Sequence, residues 1–105
     1  MHMEAQRKAE LCPRVEAAFS LLAKKWMSLI VYSLSGGELH FCDLERAIPA
    51  LSARILTKRI RELEEAGLVL RSVSPSSPVR VSYRLTVKGE SLAEAVKGIA
   101  DWAEK

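Results

Sequence analysis

The sequence contains no long hydrophobic run and no targeting segment. Its apolar stretches all stay below the roughly 18 consecutive residues that a membrane-spanning helix needs. Residues 1–10 are mostly polar and lack the apolar core of a signal peptide. We therefore expect a cytoplasmic protein that does not associate with a membrane, with a flexible segment at residues 1–10.

Residue types that carry catalysis or bind metal ions are also scarce. The chain has two cysteines, Cys12 and Cys42, and two histidines. They lack the closely spaced partners of a zinc site, and two cysteines are too few for a disulfide scaffold. No serine–histidine–acid set, phosphate-binding glycine loop or apolar pair of carboxylates is recognisable. The sequence therefore predicts no enzyme activity, no metal and no cofactor.

Length and composition are those of one globular domain. We assign all 105 residues to a single domain, because the chain has no internal repeat, linker or low-complexity tract. Hydrophobic residues make up 49% and charged residues 28%, as in ordinary globular proteins. The net charge of +3 is too small to identify a partner, so the distribution of the cations along the chain matters more.

The cations concentrate in one predicted helix within residues 51–69, which read LSARILTKRIRELEEAGLV. Ser52 is a candidate N-cap and Gly67 a candidate C-terminal stop. Four cations precede the first acid of this helix: Arg54, Lys58, Arg59 and Arg61. Positive charge near an N-terminus opposes the helix dipole. We therefore expect an anionic partner outside the helix, and a phosphate backbone is the obvious candidate.

The apolar pattern predicts a mostly helical α+β fold. In the basic helix, Leu56, Ile60 and Leu63 recur at helical spacing and should face the core. Before it, the pattern predicts a helix from Pro13, a helix over 25–34, a short extended piece at 39–41 and a short helix over 43–48. After it, the pattern predicts strands over 68–73 and 79–85 and a helix over 87–104 with Thr86 as N-cap.

This order of elements is typical of a winged helix-turn-helix. Residues 43–48 form the supporting helix, and Ser52 to Ala66 form the recognition helix, which lies in the DNA major groove in such folds. The hairpin around Ser76 and Ser77 forms the wing. In its second strand, Arg80, Ser82 and Arg84 alternate with apolar residues and should face outward.

Several short motifs occur in a characteristic order between Cys12 and Trp102. They are Cys12-Pro13, Lys25-Trp26, FCDL at 41–44, Ile48-Pro49, LTKRIREL at 56–63, EAGLV at 65–69, RVSY at 80–83, Leu85-Thr86 and Lys88-Gly89. With these motifs the chain resembles the HxlR-type family of bacterial winged helix-turn-helix transcription regulators, relatives of the MarR group. It departs from the family at Ala23-Lys24, where glycines are usual, at Cys42, where a serine N-cap is common, and at Ser82, where an acid is frequent.

The resemblance implies a homodimer that binds a pseudo-palindromic operator in double-stranded DNA. The dimer would be built from the first and last helices, which carry more apolar surface than one short chain can cover. The expected interface residues are Phe19, Leu92, Val96, Ile99 and Trp102.

We expect the DNA contacts to divide by position. Ser52, Arg54, Thr57 and Lys58 are placed to reach base edges, and Arg54 could read a guanine through two hydrogen bonds. Arg59 and Arg61 are expected to contact phosphates, which position a protein without reading sequence. In the wing, Ser77 and Arg80 are candidates for minor-groove or phosphate contact, and the alternative is a simple exposed hairpin. For the basic helix, the alternative is a solvated helix surface in which Lys58 pairs with Glu62 and Arg61 with Glu65.

Cys12 is a candidate sensor of thiol-reactive compounds. A cysteine at a helix N-cap lies at the positive end of the dipole, and this position together with neighbouring Arg14 lowers the thiol pKa. Some members of the resembled family use a cysteine at this place to sense oxidants or electrophiles, such as quinones and aldehydes, through an intersubunit disulfide or S-alkylation. The alternative is a small buried hydrophobic side chain. Cys42 is expected to be structural or incidental; an intrachain disulfide between Cys12 and Cys42 is the alternative, although cytosolic disulfides are normally transient.

Two other functions remain open at this stage. One is a winged-helix regulator gated by a small ligand at the dimer interface instead of by Cys12. The other is a winged-helix protein-interaction module that does not bind DNA, which the cations of the basic helix argue against.

Overall fold

The computed structural model describes residues 12–105, so the expected flexibility of residues 1–10 lies outside the described part of the chain. The described elements are α1 (Pro13–Ala23), α2 (Met27–Leu34), β1 (Leu39–His40), α3 (Phe41–Ala47), α4 (Ala53–Glu65), β2 (Val69–Ser74), β3 (Arg80–Leu85) and α5 (Val87–Ala103). This order confirms the predicted mostly helical α+β fold of the winged helix-turn-helix type, in which α3 and α4 are the two helices of the helix-turn-helix.

The three described strands form one antiparallel sheet with β3 in the centre. Leu39 of β1 pairs with Tyr83 of β3, and Val69 of β2 pairs with Leu85 at the other edge. The β2–β3 pairing runs to Ser74 and Arg80, so residues 75–79 form the exposed tip of the predicted wing.

The apolar face of α4 lies in the centre of the core. Leu56 and Leu63 are fully buried and Ile60 is nearly so, as the helical spacing predicts. They pack with buried residues of α2 and α3, including Met27 and Leu44. Burial of an aliphatic side chain of this size contributes about 1.5–3 kcal/mol. The same packing directs the opposite, polar face of α4 toward solvent.

Local hydrogen bonds define the ends of the two long helices. The Ile55 N–H donates to Ser52 Oγ at 3.2 Å and the Gly89 N–H donates to Thr86 Oγ1 at 3.0 Å, which confirms both predicted N-caps. Gly67 has a φ of 77°, the left-handed conformation that glycine adopts without strain. It follows the last turn of α4 and confirms the predicted stop.

Two predicted helix starts are wrong by two residues each, whereas the other stated boundaries agree to within one residue. The second helix begins at Met27 and not at residue 25, because Trp26 has a φ of 76° and cannot belong to a right-handed helix. The third helix begins at Phe41, because the Asp43 carboxylate accepts the His40 N–H at 2.8 Å and makes His40 the N-cap. Cys42 is therefore the second residue of α3 and not its cap.

One side chain of the wing strand also differs from its prediction. Ser82 alternates with apolar residues and was expected to face solvent, but only 7% of it is exposed. Its hydroxyl group donates a hydrogen bond to the carboxylate of Glu38, 44 residues earlier. The neighbouring Arg80 and Arg84 are exposed as predicted.

The first helix lies at the margin of the domain. None of its residues is buried. Within residues 12–105, no single helix is long and apolar enough to cross a membrane; α1 and α2 satisfy that test only when joined, and they are bent by 90° at the break between them.

Candidate nucleic-acid interface

Four of the predicted DNA-contacting residues lie together on α4. Arg54, Thr57, Lys58 and Arg61 are exposed and line one open groove, together with Glu62 and Glu65. Their spacing of i, i+3, i+4 and i+7 places them on a single helix face. The face is exposed because the opposite face, with Leu56, Ile60 and Leu63, is buried in the core.

The acids of α4 do not neutralise this face in the predicted way. Among residues 12–105, no ion pair joins Lys58 with Glu62 or Arg61 with Glu65. Instead, Glu62 Oε2 accepts from Lys24 Nζ at 2.9 Å and Glu62 Oε1 accepts from Arg59 Nη1 at 3.0 Å. The cations Arg54, Lys58 and Arg61 therefore remain directed to solvent.

Arg59 does not share this face, in contrast to the expectation that it reaches phosphates. Its Nε donates to the carbonyl oxygen of Lys25 at 2.9 Å, and only 14% of its side chain is exposed. Successive helix residues differ in direction by about 100°, so Arg59 turns away from Lys58 toward the link between α1 and α2. There the carbonyl group of Lys25, which lies beyond the end of α1, accepts the Arg59 Nε–H.

The two hydroxyl groups of the predicted base-reading set are partly engaged with the backbone. Ser52 Oγ accepts the Ile55 N–H, and Thr57 Oγ1 donates to the carbonyl oxygen of Ala53 at 2.9 Å. Ser52 keeps its hydroxyl hydrogen available to an acceptor. Thr57 keeps an oxygen lone pair and a methyl group, which suit an adenine or cytosine amino group and a thymine methyl group.

Serine side chains organise the tip of the wing. The Ser74 and Ser76 hydroxyl oxygens are 2.9 Å apart, and the Ser76 N–H donates to Ser74 Oγ at 3.3 Å. Ser77 and Arg80 are both exposed beside this turn. The wing therefore presents the Ser77 hydroxyl group and the Arg80 guanidinium group to solvent.

Cys12 is the N-cap of α1 and is exposed in the single protomer, which contradicts the alternative of a small buried hydrophobic residue. The nearby backbone N–H groups of Arg14 and then of Val15 lower the pKa of the Cys12 thiol. These groups are at the positive end of α1, where a thiolate is favoured. Cys42 is also exposed and lies on α3.

The expected dimer-interface residues divide into two groups. Phe19 is 68%, Ile99 57% and Trp102 72% exposed, so the protomer leaves these large apolar side chains uncovered. Val96 is only 5% exposed and belongs, with Ala93, to the face of α5 that is buried in the protomer's own core. Val96 therefore offers little side-chain surface to a second chain, and its place at the interface stays a prediction.

Leu92 of this set is partly buried against the core. It also lines a groove of about 610 Å³ between α1, the end of α4 and the start of α5. The floor of this groove is mainly apolar, with Ala18, Leu21 and Leu68 beside Leu92, and its cations are Arg14 and Lys88.

Sequence reasoning missed the role of Glu62, for which it offered only a pairing with Lys58 on a solvated helix surface. Its partner Lys24 is 38 residues away in the sequence. Helical spacing within α4 therefore carried no signal for this ion pair.

Comparison with known proteins agrees with this arrangement. The model of the HxlR-like helix-turn-helix family matches residues 21–105. The uncharacterized HTH-type transcriptional regulator YvaP of Bacillus subtilis (strain 168) is 46% identical over 96 residues, which cover 91% of this chain and 89% of that protein. The HTH-type transcriptional regulator YodB of the same organism is 40% identical over 95 residues, covering 90% of this chain and 85% of YodB.

Solved structures show the same fold. The reduced form of YodB superimposes with a TM-score of 0.80 at 40% identity, covering 90% of this chain and 93% of that one. The redox regulator HypR in its oxidized form gives a TM-score of 0.82 at 34% identity, and the match covers 89% of this chain and 95% of the HypR chain. YodB has also been solved in diamide-treated and quinone-bound forms, each with a TM-score of 0.77.

These relatives are transcriptional regulators and not enzymes, as the sequence predicted for this chain. The family match over most of the chain, together with the winged helix-turn-helix described above, shows that the protein is a helix-turn-helix transcriptional regulator that belongs to the HxlR-like family.

Proposed function

We propose that this regulator binds a specific DNA operator as a homodimer, with α4 in the major groove. The exposed face formed by Arg54, Thr57, Lys58 and Arg61 carries the proposal. An α-helix fits the major groove of B-DNA, and its arginine and lysine side chains can read guanine edges or neutralise phosphates. An exposed cationic helix face on a winged helix-turn-helix is therefore suited to duplex DNA.

The residues of this surface have different roles in the proposal. Ser52, the N-cap, and Arg54, Thr57 and Lys58 in the first half of α4 contact base edges, whereas Arg61 lies further along and contacts phosphate. Ser77 and Arg80 in the wing contact the adjacent minor groove or its phosphates. Arg59 is left out of the contacting set, because its guanidinium group is bound to Lys25 and Glu62.

The experiment is a binding titration with labelled DNA from upstream of the protein's own gene, repeated over a series of salt concentrations. A random duplex of equal length serves as control. We expect tighter binding to the upstream DNA, with log K falling linearly as log salt rises, because phosphate contacts release counterions. Absence of salt-dependent binding to both duplexes would favour the protein-interaction module instead.

Homodimer formation is supported by the apolar surface of α1 and α5. The first helix has no buried residue, and Phe19, Ile99 and Trp102 are more than half exposed. A twofold dimer would present two copies of α4 to half-sites about 34 Å apart, one turn of B-DNA. A pseudo-palindromic operator follows from that symmetry.

The signal that we propose is a thiol-reactive compound acting at Cys12. Its exposure and its lowered pKa support this role, as do the reduced, diamide-treated and quinone-bound structures of the relative YodB. Oxidation would join the Cys12 Sγ atoms of two protomers. The two thiols would lose two protons and two electrons, which diamide takes up to form its hydrazine. An electrophile would instead form a carbon–sulfur bond with one Cys12 thiolate.

The test uses the two cysteines as a matched pair. Under diamide, the Cys42→Ser variant is expected to release operator DNA, whereas Cys12→Ser is expected to stay bound. Release by Cys12→Ser to the same extent as by the native protein would contradict the sensor role.

The groove beside α1 favours a second candidate, in which a small ligand gates DNA binding. Its apolar floor and the cations Arg14 and Lys88 suit a small aromatic carboxylate. In the Cys12→Ser background, such a carboxylate would then release DNA, and the further change Lys88→Met would abolish that response. Absence of release at every carboxylate concentration would exclude this candidate.

A further inference from the structure

Two hydrogen bonds tie the link between α1 and α2 to the recognition helix, and a third joins their two side-chain partners within that helix. Lys24 Nζ donates to Glu62 Oε2 at 2.9 Å, and Arg59 Nη1 donates to Glu62 Oε1 at 3.0 Å. Arg59 Nε donates to the carbonyl oxygen of Lys25 at 2.9 Å. Both oxygens of Glu62 are thus engaged. We refer to Lys24, Lys25, Arg59 and Glu62 together as the Glu62 clamp.

The clamp holds a strained part of the chain. Trp26 has a φ of 76°, a conformation that bulky residues rarely adopt and that persists only when the surrounding structure enforces it. The carbonyl group bound by Arg59 belongs to Lys25, the residue immediately before Trp26. Because its oxygen is held by α4, the path from α1 into α2 depends on where α4 lies.

The ionic part of the clamp is partly shielded from solvent. The side chain of Glu62 is 20% exposed and that of Arg59 14%. The hydrogen bond from Lys24, and then that from Arg59, lower the pKa of the Glu62 carboxyl group. Glu62 is therefore ionised at neutral pH, and its attraction to Arg59 is screened less than that of a surface pair.

Charge alone and geometry make opposite predictions for Glu62. It lines the same groove as Arg54, Lys58 and Arg61, where a negative charge repels phosphate. If only charge mattered, removing it would strengthen DNA binding. The clamp, however, connects α4 to the end of α1, the helix that the proposed homodimer uses for its interface.

We propose that Glu62 is a positioning residue for operator binding: through Lys24 and Arg59 it holds α4 at a fixed angle to α1. That angle sets the distance between the two recognition helices of a dimer, which must match the half-site spacing of the operator. Random DNA requires no such match. The inference rests on the proposed function, since it assumes that α4 binds DNA and that α1 helps to form the dimer.

The test compares Glu62→Gln with Glu65→Gln. Both changes remove one negative charge from the same groove, but no ion pair of Glu65 occurs among residues 12–105. We expect Glu62→Gln to weaken operator binding roughly fivefold, in the range of mutations that alter coupling without touching ligand. Its binding to random DNA should not weaken. Glu65→Gln should strengthen binding to both duplexes. Equal strengthening by the two variants would overturn the proposal.

A second variant removes the other arm of the clamp. Lys24→Met should weaken operator binding without changing the salt dependence, because Lys24 contacts Glu62 and not phosphate. Combined with Glu62→Gln it should cause little further loss, since the two residues act through one interaction. A reduced salt slope for Lys24→Met, or fully additive losses, would contradict the positioning role. If circular dichroism shows that Glu62→Gln does not fold, the Lys24→Met variant alone tests the positioning role.

A DNA-independent measurement separates this inference from the proposed function. In a Trp102→Phe background, Trp26 is the remaining tryptophan, and its emission should shift when Glu62→Gln releases the link. Native protein that binds no DNA would disprove the proposed function, whereas an unchanged Trp26 emission would disprove the clamp.

Discussion

At the scale of single residues, the cations of α4 differ in the direction in which their side chains point from the helix axis. Arg54, Lys58 and Arg61 face an open groove, whereas Arg59 is bound to Lys25 and Glu62. All four have the same charge, so the difference lies in their angular position around the helix. Exposed cations can also differ in role, since base contacts specify sequence and phosphate contacts do not.

The first prediction concerns Arg54 and Arg61. Arg54→Ala should reduce the preference for operator over random DNA by about 1–3 kcal/mol, the value of one lost base contact. Arg61→Ala should weaken binding to both duplexes and reduce the salt slope by about 1. Lys97→Ala on α5 is the control for loss of a remote cation. Equal losses on both duplexes for Arg54→Ala, or an unchanged slope for Arg61→Ala, would contradict the assigned roles.

The second prediction concerns the pH dependence of Cys12. Backbone N–H groups lower its pKa, so the reactive thiolate should form at lower pH in the folded protein than in the unfolded chain. The alkylation rate of the Cys42→Ser variant by iodoacetamide should therefore rise with pH and level off earlier when folded than in urea. If the pH midpoints of alkylation coincided in the folded and the urea-unfolded protein, the N-cap position would not activate the thiol.

At the scale of elements, the end of α4 and the start of α5 meet in one tight junction. Thr86 Oγ1 donates to the carbonyl oxygen of Gly67 at 2.8 Å, and the Thr86 N–H donates to that of Leu68 at 3.0 Å. A Cβ atom on Gly89 would lie 2.0 Å from the Leu68 carbonyl oxygen. The two helices therefore approach as closely as they do because residue 89 has no side chain.

The third prediction follows from this contact. Gly89→Ala should lower the free energy of unfolding by about 2 kcal/mol or more, because the clash is with backbone and not with a flexible side chain. Gly98→Ala, in the same helix with nothing within 4 Å of an added Cβ, should instead raise it by about 0.5–1 kcal/mol. Urea denaturation measures both values. A neutral Gly89→Ala variant would contradict the described packing.

At the scale of the whole molecule, one protomer leaves much apolar surface on α1 and α5 uncovered. Phe19 and Trp102 are the most exposed aromatic side chains of this surface. Large exposed apolar patches commonly mark interfaces. The same two helices flank the domain that carries α4, so an interface there would determine how two recognition helices are arranged on DNA.

The fourth prediction tests this interface. Trp102→Glu should weaken self-association by at least about tenfold, since a buried aromatic side chain is a typical interface hot spot. It should also weaken binding to operator DNA more than binding to random DNA. Light scattering after gel filtration measures the mass. Val79→Glu, an equally apolar-to-acidic change at the exposed wing, should leave the mass unchanged. An unaltered mass for Trp102→Glu would place the interface elsewhere.

Features that depend on residues close in the chain were predictable from the sequence. Ser52 and Thr86 cap their helices through bonds to residues three positions later, and Leu56 and Leu63 are buried as helical spacing requires. The ordered motifs indicated the winged fold and its family. The main features that were predicted wrongly or missed, such as the burial of Ser82, depend on partners distant in the sequence.

The sequence by itself thus determined the order of the helices, the caps of α4 and α5, the wing and the basic character of α4, because each follows from local spacing and local hydrogen bonds. Only the tertiary structure decided which cations of α4 face solvent and which one binds the α1–α2 link. It also decided that Val96 packs inward while Trp102 remains exposed. The physical reason is that these outcomes depend on which face of each helix the packed core covers, and on partners such as Lys24 and Glu62, which lie 38 residues apart in the chain.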